Sequence, residues 1–192
     1  MLNFLIKNLP IKGVEQALAT AFPRNLPHSA GRIFEKVGFE YQRNLHSFKI
    51  LNESDYMSQV AKNQFDIVQT EQPNWVLYNQ VPKPLPCWER MRETIGMNFP
   101  NELFFEVRQQ NKLIGFLIGD PLEGRIAELG VLPPYQQTTA LLELLQHFYN
   151  ISTHKLLRIV QLDIQEQYII NGLQKLGFTK YAETEELKLT FN

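Results

Sequence analysis

A β-hairpin at residues 101–120, NELFFEVRQQNKLIGFLIGD, constrains the fold more than any other stretch of this chain. Two runs rich in apolar and aromatic residues flank the polar turn QQNK, which is typical of two neighbouring antiparallel strands. The turn DPLEG follows, and the run RIAELGVL at 125–132 then predicts a third strand. Any fold for this chain therefore has to accommodate this group of strands.

Elements on both sides of the hairpin alternate between helix and strand. After the third strand, the patterns predict a helix at 137–152, a buried strand at 156–164, a helix at 165–176 and a final strand at 181–191. Before the hairpin, they predict a strand at 48–51, a helix at 52–68, a mostly irregular segment at 70–88 in which WVLYNQV (75–81) could form a short strand, and a helix at 87–96. This order indicates a mixed α/β sheet rather than a regular doubly wound one.

Composition limits the classes of function. The chain has 192 residues, of which 44% are hydrophobic, which is enough for one full domain or one domain plus a fragment. A formal net charge of −1 gives no general attraction to nucleic acid, and no apolar run approaches the length of a membrane span. We therefore expect a soluble, cytoplasmic protein that binds neither nucleic acid nor membrane. One cysteine and four scattered histidines predict no disulfide and no metal site.

A short repeat suggests how the chain is organised. GRIFEKVGFEY (31–41) and NGLQKLGFTKY (171–181) both carry a helix end, a lysine, an apolar residue, Gly-Phe and then a strand. Glycine at a helix C-terminus is common by itself, but two copies in register indicate a shared ancestry of the two segments. We therefore expect residues 1–46 to be the tail end of a domain whose full version occupies 47–192.

Three motifs in this order resemble the GNAT superfamily of N-acetyltransferases. The hairpin FFEVRQQNKLIGFLIG resembles the central antiparallel pair of the family, and ELGVLPPYQQTTALLELL resembles its fourth strand, acyl-CoA loop and following helix. IINGLQKLGF resembles the helix near the end of the GNAT fold. The resemblance implies a GNAT-like α/β (α+β) fold over 47–192, with a mixed, mostly antiparallel central sheet flanked by helices. It implies the same family for the partial segment at 1–46.

The acyl-CoA loop matches the family without its glycines. Val131, Pro133 and Tyr135 fall where the family has them, whereas Thr139 and Leu141 stand at glycine positions. Backbone amides and the helix N-terminus would still attract the pyrophosphate of acetyl-CoA, but these two side chains reduce the room. The threonine hydroxyls could donate to phosphate or could simply cap the helix. The resemblance implies that the residues binding acetyl-CoA are Leu129, Gly130, Val131, Gln136, Gln137, Thr138, Thr139, Ala140 and Leu141.

The chemistry implied by this family is attack of an amine on the thioester of acetyl-CoA. Glu128 is the candidate base, because it is a carboxylate in an otherwise apolar strand, where burial would raise its pKa. The alternative is that Glu128 faces solvent, since side chains alternate along a strand. The amides of Gly130 and Val131 are candidates to hold the thioester oxygen.

The general acid is the position at which the chain departs furthest from the family. The tyrosine that family members carry on the helix before Leu-Gly-Phe is Leu173 here. Tyr168 lies five residues earlier, about 140° away around the helix axis, so it is not expected to substitute directly.

Two classes of function follow from the resemblance. The first is an acyltransferase that moves an acetyl group from acetyl-CoA to an amine, whose identity the sequence does not specify. The alternative is a non-catalytic GNAT-like module that binds acyl-CoA or a protein partner. A swapped homodimer, in which residues 1–46 complete the sheet of a second copy, is a further expectation.

Overall fold

The computed structural model describes residues 6–8, 13–51, 64–97 and 99–191. Within these residues the strands are β1 (Gln16–Ala21), β2 (Glu40–Leu51), β3 (Asp66–Thr70), β4 (Leu103–Gln109), β5 (Lys112–Asp120), β6 (Arg125–Val131), β7 (Leu156–Asp163) and β8 (Thr179–Thr190). The helices are α1 (Ala30–Lys36), α2 (Trp75–Tyr78), α3 (Arg92–Met97), α4 (Ala140–Ile151) and α5 (Gln167–Lys175). None of the helices in the described ranges is long and apolar enough to cross a membrane.

The strands form one eight-stranded sheet in the order β1-β8-β2-β7-β6-β5-β4-β3. The pairs β1–β8, β3–β4, β4–β5 and β5–β6 are antiparallel, and β6–β7 is parallel. The predicted fold class, a mixed and mostly antiparallel sheet flanked by helices, is therefore confirmed.

The hairpin that constrains the fold forms as the sequence predicts. Gln110 and Asn111 make a two-residue turn with φ of 50° and 63°, the positive angles that a tight hairpin turn requires. β4 and β5 then pair from Gln109 opposite Lys112 to Leu103 opposite Gly119. The predicted third strand follows as β6.

The elements before the hairpin depart from the predictions. Of the helix predicted at 52–68, residues 52–63 lie outside the described part of the chain, and the end is wrong because Asp66–Thr70 is strand β3. β3 pairs with β4, so the structure of β3 is decided by its partner strand and not by local periodicity.

The short strand suggested for 75–81 is also wrong, because helix α2 begins there. The side chain of Asn74 accepts a hydrogen bond from the amide of Leu77 at 3.2 Å and caps the helix. The helix predicted at 87–96 is divided into a 3₁₀ turn and α3, because the backbone of Met91 is extended between them, with φ −69° and ψ 152°.

Close packing divides the chain into two compact units, Met1–His46 with Ala182–Asn192, and Ser47–Tyr181. The second unit has an apolar cluster on each face of its sheet. Leu117 of β5 belongs to the cluster that packs against α4 and α5, while its neighbour Phe116 belongs to the one that packs against α2 and α3. Successive side chains on a strand point to opposite faces, which explains this division.

The two copies of the sequence repeat end their helices in the same way. Gly38 and Gly177 have φ of 98° and 85°, which glycine adopts without strain. In each copy the phenylalanine amide donates to the carbonyl five residues earlier at 3.0 Å, and the glycine amide to the carbonyl three residues earlier at 3.0 Å. Each helix end is therefore the same glycine cap leading into a strand.

The turn between β5 and β6 provides a test of the fold. Gly124 has φ of 62°, and a Cβ there would collide with the carbonyl oxygen of Leu156. We expect Gly124→Ala to lower the free energy of unfolding by about 2 kcal/mol, measured by urea denaturation. Gly96→Ala is the matched control, because Gly96 lies in α3 with open space around it, and we expect a gain of about 0.5–1 kcal/mol. Equal unfolding midpoints for the two variants would contradict this backbone.

Candidate active site

The parallel strands β6 and β7 separate soon after they meet. Their register covers Arg125 opposite Arg158 and Ile126 opposite Ile159. β6 continues to Val131, paired on its other side with β5. The edge of β6 from 127 to 131 therefore faces a gap between the two strands.

Alternate amides of β6 point into this gap. The amide of Leu132 donates to Ile114 of β5 at 2.8 Å, and amide directions alternate along a strand. The amides of Leu129 and Val131 therefore face the gap, whereas that of Gly130 faces β5. Of the two residues predicted to hold the thioester oxygen, only Val131 has its amide directed into the gap.

Side chains of the protein form hydrogen bonds with the backbone groups of this strand edge. Arg90 Nε donates to the carbonyl of Ala127 at 3.3 Å, where the strands begin to separate. The amide of Leu129 donates to Oε1 of Glu128 at 2.9 Å, and the amide of Val131 to the hydroxyl of Tyr168 at 3.2 Å. A ligand in the gap would have to exchange with these hydrogen bonds.

A buried charge cluster lies beside the gap. Arg90 is 2% exposed and pairs with Glu128 at 2.7 Å and with Glu166 at 3.2 Å. Lys83 Nζ lies 3.1 Å from the other carboxylate oxygen of Glu128. The cluster therefore joins four charged residues from the segment before α3, strand β6 and the start of α5.

The structure corrects two expectations about Glu128. Glu128 is 2% exposed, so the alternative that it faces solvent is wrong. Burial would raise the pKa of its carboxyl, but the charges of Arg90 and Lys83 outweigh burial and lower the pKa. For Glu166 the effect of burial exceeds that of the Arg90 charge, so its pKa is raised. Glu128 is therefore an ion-paired carboxylate rather than a poised base.

The acyl-CoA loop borders a cavity of about 310 Å³ between the start of α4 and helix α5. Its lining includes Gln136, Gln137, Thr138, Leu141 and Lys175. Amides at the start of a helix and a lysine both favour a phosphate group. Four of the predicted cofactor-binding residues therefore line an open space large enough for part of a ligand.

The two threonines of the loop have different surroundings. The hydroxyl of Thr138 accepts from the amide of Ala140 at 3.3 Å, which is the capping role considered above. The hydroxyl of Thr139 donates to Glu143 at 2.6 Å. Neither Thr139 nor Ala140 contributes to the lining of the cavity.

Leu141 fills space at the glycine position of the family motif. Its Cδ2 lies 2.5 Å from where a Cβ of Gly172 would be, so the leucine packs against the glycine between α4 and α5. Leu141 is buried and also lines the cavity. Leu141 thus reduces the width of the cavity without closing it.

The aromatic hydroxyl near the gap comes from Tyr168. Leu173, at the family's tyrosine position, is fully buried in the core. Tyr168 lies on a different face of α5 from Leu173, as the helix geometry predicts, and its hydroxyl reaches the gap at the amide of Val131. Burial raises the pKa of Tyr168 to about 12, which keeps the phenol protonated at neutral pH.

Sequence reasoning missed Arg90, Lys83 and Glu166. For Glu166 the sequence offers one signal, a carboxylate at the N-terminal boundary of the helix that follows β7. Arg90 and Lys83 come from the proline-rich segment and its continuation, where no periodicity indicates which side chains turn inward. Among the described residues, no group of three or more His, Cys, Asp or Glu is arranged to hold a metal ion.

Comparison with solved structures identifies the fold. The chain aligns over its whole length with a conserved protein of unknown function from Staphylococcus epidermidis, at TM-score 0.66 and 12% identity, covering 82% of that protein. It aligns over 100% of its length with a GCN5-related N-acetyltransferase from Kribbella flavida, at TM-score 0.61 and 10% identity, covering 74% of it. A GCN5-related N-acetyltransferase from Sphaerobacter thermophilus gives TM-score 0.57 and 12% identity, with 98% of this chain and 66% of that protein covered.

These matches show that the chain has the GNAT fold, the fold of GCN5-related N-acetyltransferases. No protein-family model matches the chain, and no curated protein matches its sequence. At this level of identity the structures establish the fold alone, and the chain spans 66% to 82% of the length of the three proteins compared.

The buried cluster yields a prediction for stability. Arg90→Leu removes the cation shared by Glu128 and Glu166, and we expect a loss of about 3–5 kcal/mol in the free energy of unfolding at pH 7. The native contribution of Glu128, whose pKa is lowered, is present above its unfolded value of 4.5 and is lost as pH falls. In the variant the charge of Arg90 no longer opposes burial, so we expect the pKa of each carboxyl to rise and protonation to stabilise the fold as pH falls. The difference between the two proteins should therefore shrink from pH 7 to pH 5 in urea titrations.

Arg158→Leu is the control for this prediction. Arg158 pairs with Glu123 at 2.8 Å on the surface, and such exposed pairs contribute about 0–1 kcal/mol. A pH-independent loss for Arg90→Leu, or equal losses for both variants, would mean that the buried carboxylates do not depend on Arg90.

Proposed function

We propose that this protein is an acyltransferase that moves an acetyl group from acetyl-CoA to an amine. The observation that carries the proposal is the gap between β6 and β7, with the amides of Leu129 and Val131 facing it and the 310 Å³ cavity at the start of α4. A pantetheine arm is a chain of amides that pairs with a free strand edge, and its pyrophosphate suits helix amides and a lysine. The residues around the gap fit both parts of acetyl-CoA.

Three groups have roles in this proposal. The amide of Val131 would hold the thioester oxygen once Tyr168 releases it. The protonated hydroxyl of Tyr168 would then supply the proton to the leaving sulfur, in place of the tyrosine absent at Leu173. Glu128 would accept the proton of the amine, which requires weakening its ion pairs with Arg90 and Lys83.

The second candidate is a non-catalytic GNAT-like module. The observation that favours it is that the chain already satisfies the amides of Leu129 and Val131 with its own Glu128 and Tyr168. Arg90 occupies the point where β6 and β7 begin to separate, and Leu141 narrows the cavity. If these contacts outcompete a ligand, the gap acts as part of the folded core and the surface binds a partner instead.

Isothermal titration decides between the two candidates at the first step. We expect acetyl-CoA and CoA to bind with dissociation constants in the micromolar range. Lys175→Ala should weaken binding about threefold to tenfold, because it removes one cation from the phosphate side of the cavity. Lys180→Ala, which changes an exposed lysine outside the cavity lining, should bind like the native chain. Absence of heat at high micromolar CoA would reject the acyltransferase proposal.

The role of Tyr168 is tested by removing its hydroxyl. In Tyr168→Phe, acetyl-CoA should bind at least as well, because the amide of Val131 becomes available, while kcat over an amine panel should fall about 100-fold. Tyr135→Phe is the control, since Tyr135 packs against the apolar core and has no role in the proposal. Unchanged kcat in Tyr168→Phe with intact binding would remove Tyr168 from the mechanism.

A further inference from the structure

Lys83 places its amine beside Glu128, the candidate base of the proposed reaction. Its Nζ is 3.1 Å from Oε2 of Glu128, the candidate base, and 5.0 Å from the centre of the Phe116 ring. The side chain is 15% exposed, so most of it is covered by the protein. A lysine amine thus faces the candidate base from within the fold.

The surroundings of Lys83 are continuous with the proposed thioester site. Phe116 lies opposite Gly130 in the β5–β6 register. A Cβ at Gly130 would meet Val81 at 2.8 Å, the Phe116 ring at 3.4 Å and the Tyr168 hydroxyl at 3.5 Å. Glu128 and Gly130 are two residues apart on one face of β6, a separation of about 6.6 Å. Lys83 therefore lies over the same face of the sheet as Gly130.

The origin of Lys83 suggests why it occupies this position. It belongs to the sequence VPKPLPC (81–87), whose prolines restrict the backbone. Val81 packs with Phe116 and Ala127 on the face formed by β5 and β6. Val81 and Cys87, at either end of this segment, are buried. The segment is therefore anchored at both ends with Lys83 directed at Glu128.

From this geometry we infer that Lys83 is an internal acetyl acceptor, modified on Nζ by acetyl-CoA bound in the gap between β6 and β7. The inference rests on the proposed function, since acetyl-CoA is the donor. It names the side-chain amine of a lysine of this protein as the first acetyl acceptor.

The reaction balances with groups that are present. The Lys83 ammonium passes one proton through Glu128 to solvent, and the neutral nitrogen forms a bond to the thioester carbon. The carbon–sulfur bond breaks as the Tyr168 hydroxyl protonates the thiolate, and the second proton of the nitrogen restores that hydroxyl. The products are acetyl-Lys83 and CoA, and one proton is released to solvent.

Acetylation would change the charge around Glu128. Acetyl-lysine is neutral, so Glu128 would keep Arg90 as its cation and lose the other charge that lowers its pKa. Its carboxylate would become a stronger proton acceptor. The modified chain should then differ from the native chain in the pH profile of any activity towards free amines.

Mass spectrometry of the full chain tests the inference. The protein is incubated with ¹³C-acetyl-CoA, sampled over time and digested, and the label is located by peptide sequencing. We expect Lys83 to be acetylated at least tenfold faster than the exposed Lys112 and Lys180, although those lysines are better exposed to the reagent. Excess CoA should suppress the label on Lys83, and urea-unfolded chain should lose the preference.

Lys83→Arg is the matched variant, because arginine keeps a cation beside Glu128 but does not accept an acetyl group. It should bind acetyl-CoA like the native chain and lose the rapid labelling. Labelling of Lys83 that is no faster than that of Lys112, or that persists in excess CoA or in urea, would overturn the inference.

The two proposals fail in distinguishable ways. If acetyl-CoA binds in the titration and Lys83 stays unmodified while free amines are acetylated, the internal acceptor is rejected and the acyltransferase stands. If acetyl-CoA does not bind, the acyltransferase is rejected and the internal acceptor with it. Selective labelling together with binding supports both.

Discussion

The contacts of Arg90 are the interaction on which the site depends. Its guanidinium donates to the carbonyl of Ala127, where β6 and β7 begin to separate. It also pairs with the buried carboxylates of Glu128 on β6 and Glu166 at the start of α5. A buried charge is costly unless it is paired, so the three elements cannot separate without exposing or orphaning these groups. Arg90 thereby fixes the position of α5, and with it the position of Tyr168 over the amide of Val131. It also keeps Glu128 ionised.

The strand edge in the gap between β6 and β7 could bind a ligand, but side chains of the protein already hydrogen-bond to it. Strand amides that lack a neighbouring strand need other partners, and here Glu128 and Tyr168 supply them. Exchange of such a hydrogen bond for one to a ligand has a small net free energy, because one bond replaces another. Binding of acetyl-CoA would therefore depend on what the ligand gains elsewhere, above all from the cavity lined by Gln137 and Lys175.

Sequence patterns were most reliable where local chemistry and tertiary structure agree. The hairpin, the third strand and helices α4 and α5 carry strong periodicity, turn residues and glycine caps, and all were confirmed. The predictions failed at β3, whose structure depends on pairing with β4, and at α2, whose single turn depends on the Asn74 cap. In the site, the sequence indicated Glu128 and the acyl-CoA loop, but not the cations that surround Glu128.

The sequence by itself determined the hairpin and the strands and helices that follow it, the GNAT-like motifs and the absence of glycine from the acyl-CoA loop, because each is a property of neighbouring residues. The tertiary structure decided which side chains converge. Arg90 and Lys83 are distant from Glu128 in the chain, and only their contact with it reverses the effect of burial on the pKa of Glu128. In the same way, Tyr168 reaches Val131 and Leu141 packs on Gly172 only because α5 docks beside the gap. Convergence of this kind depends on long-range packing, which periodicity does not encode.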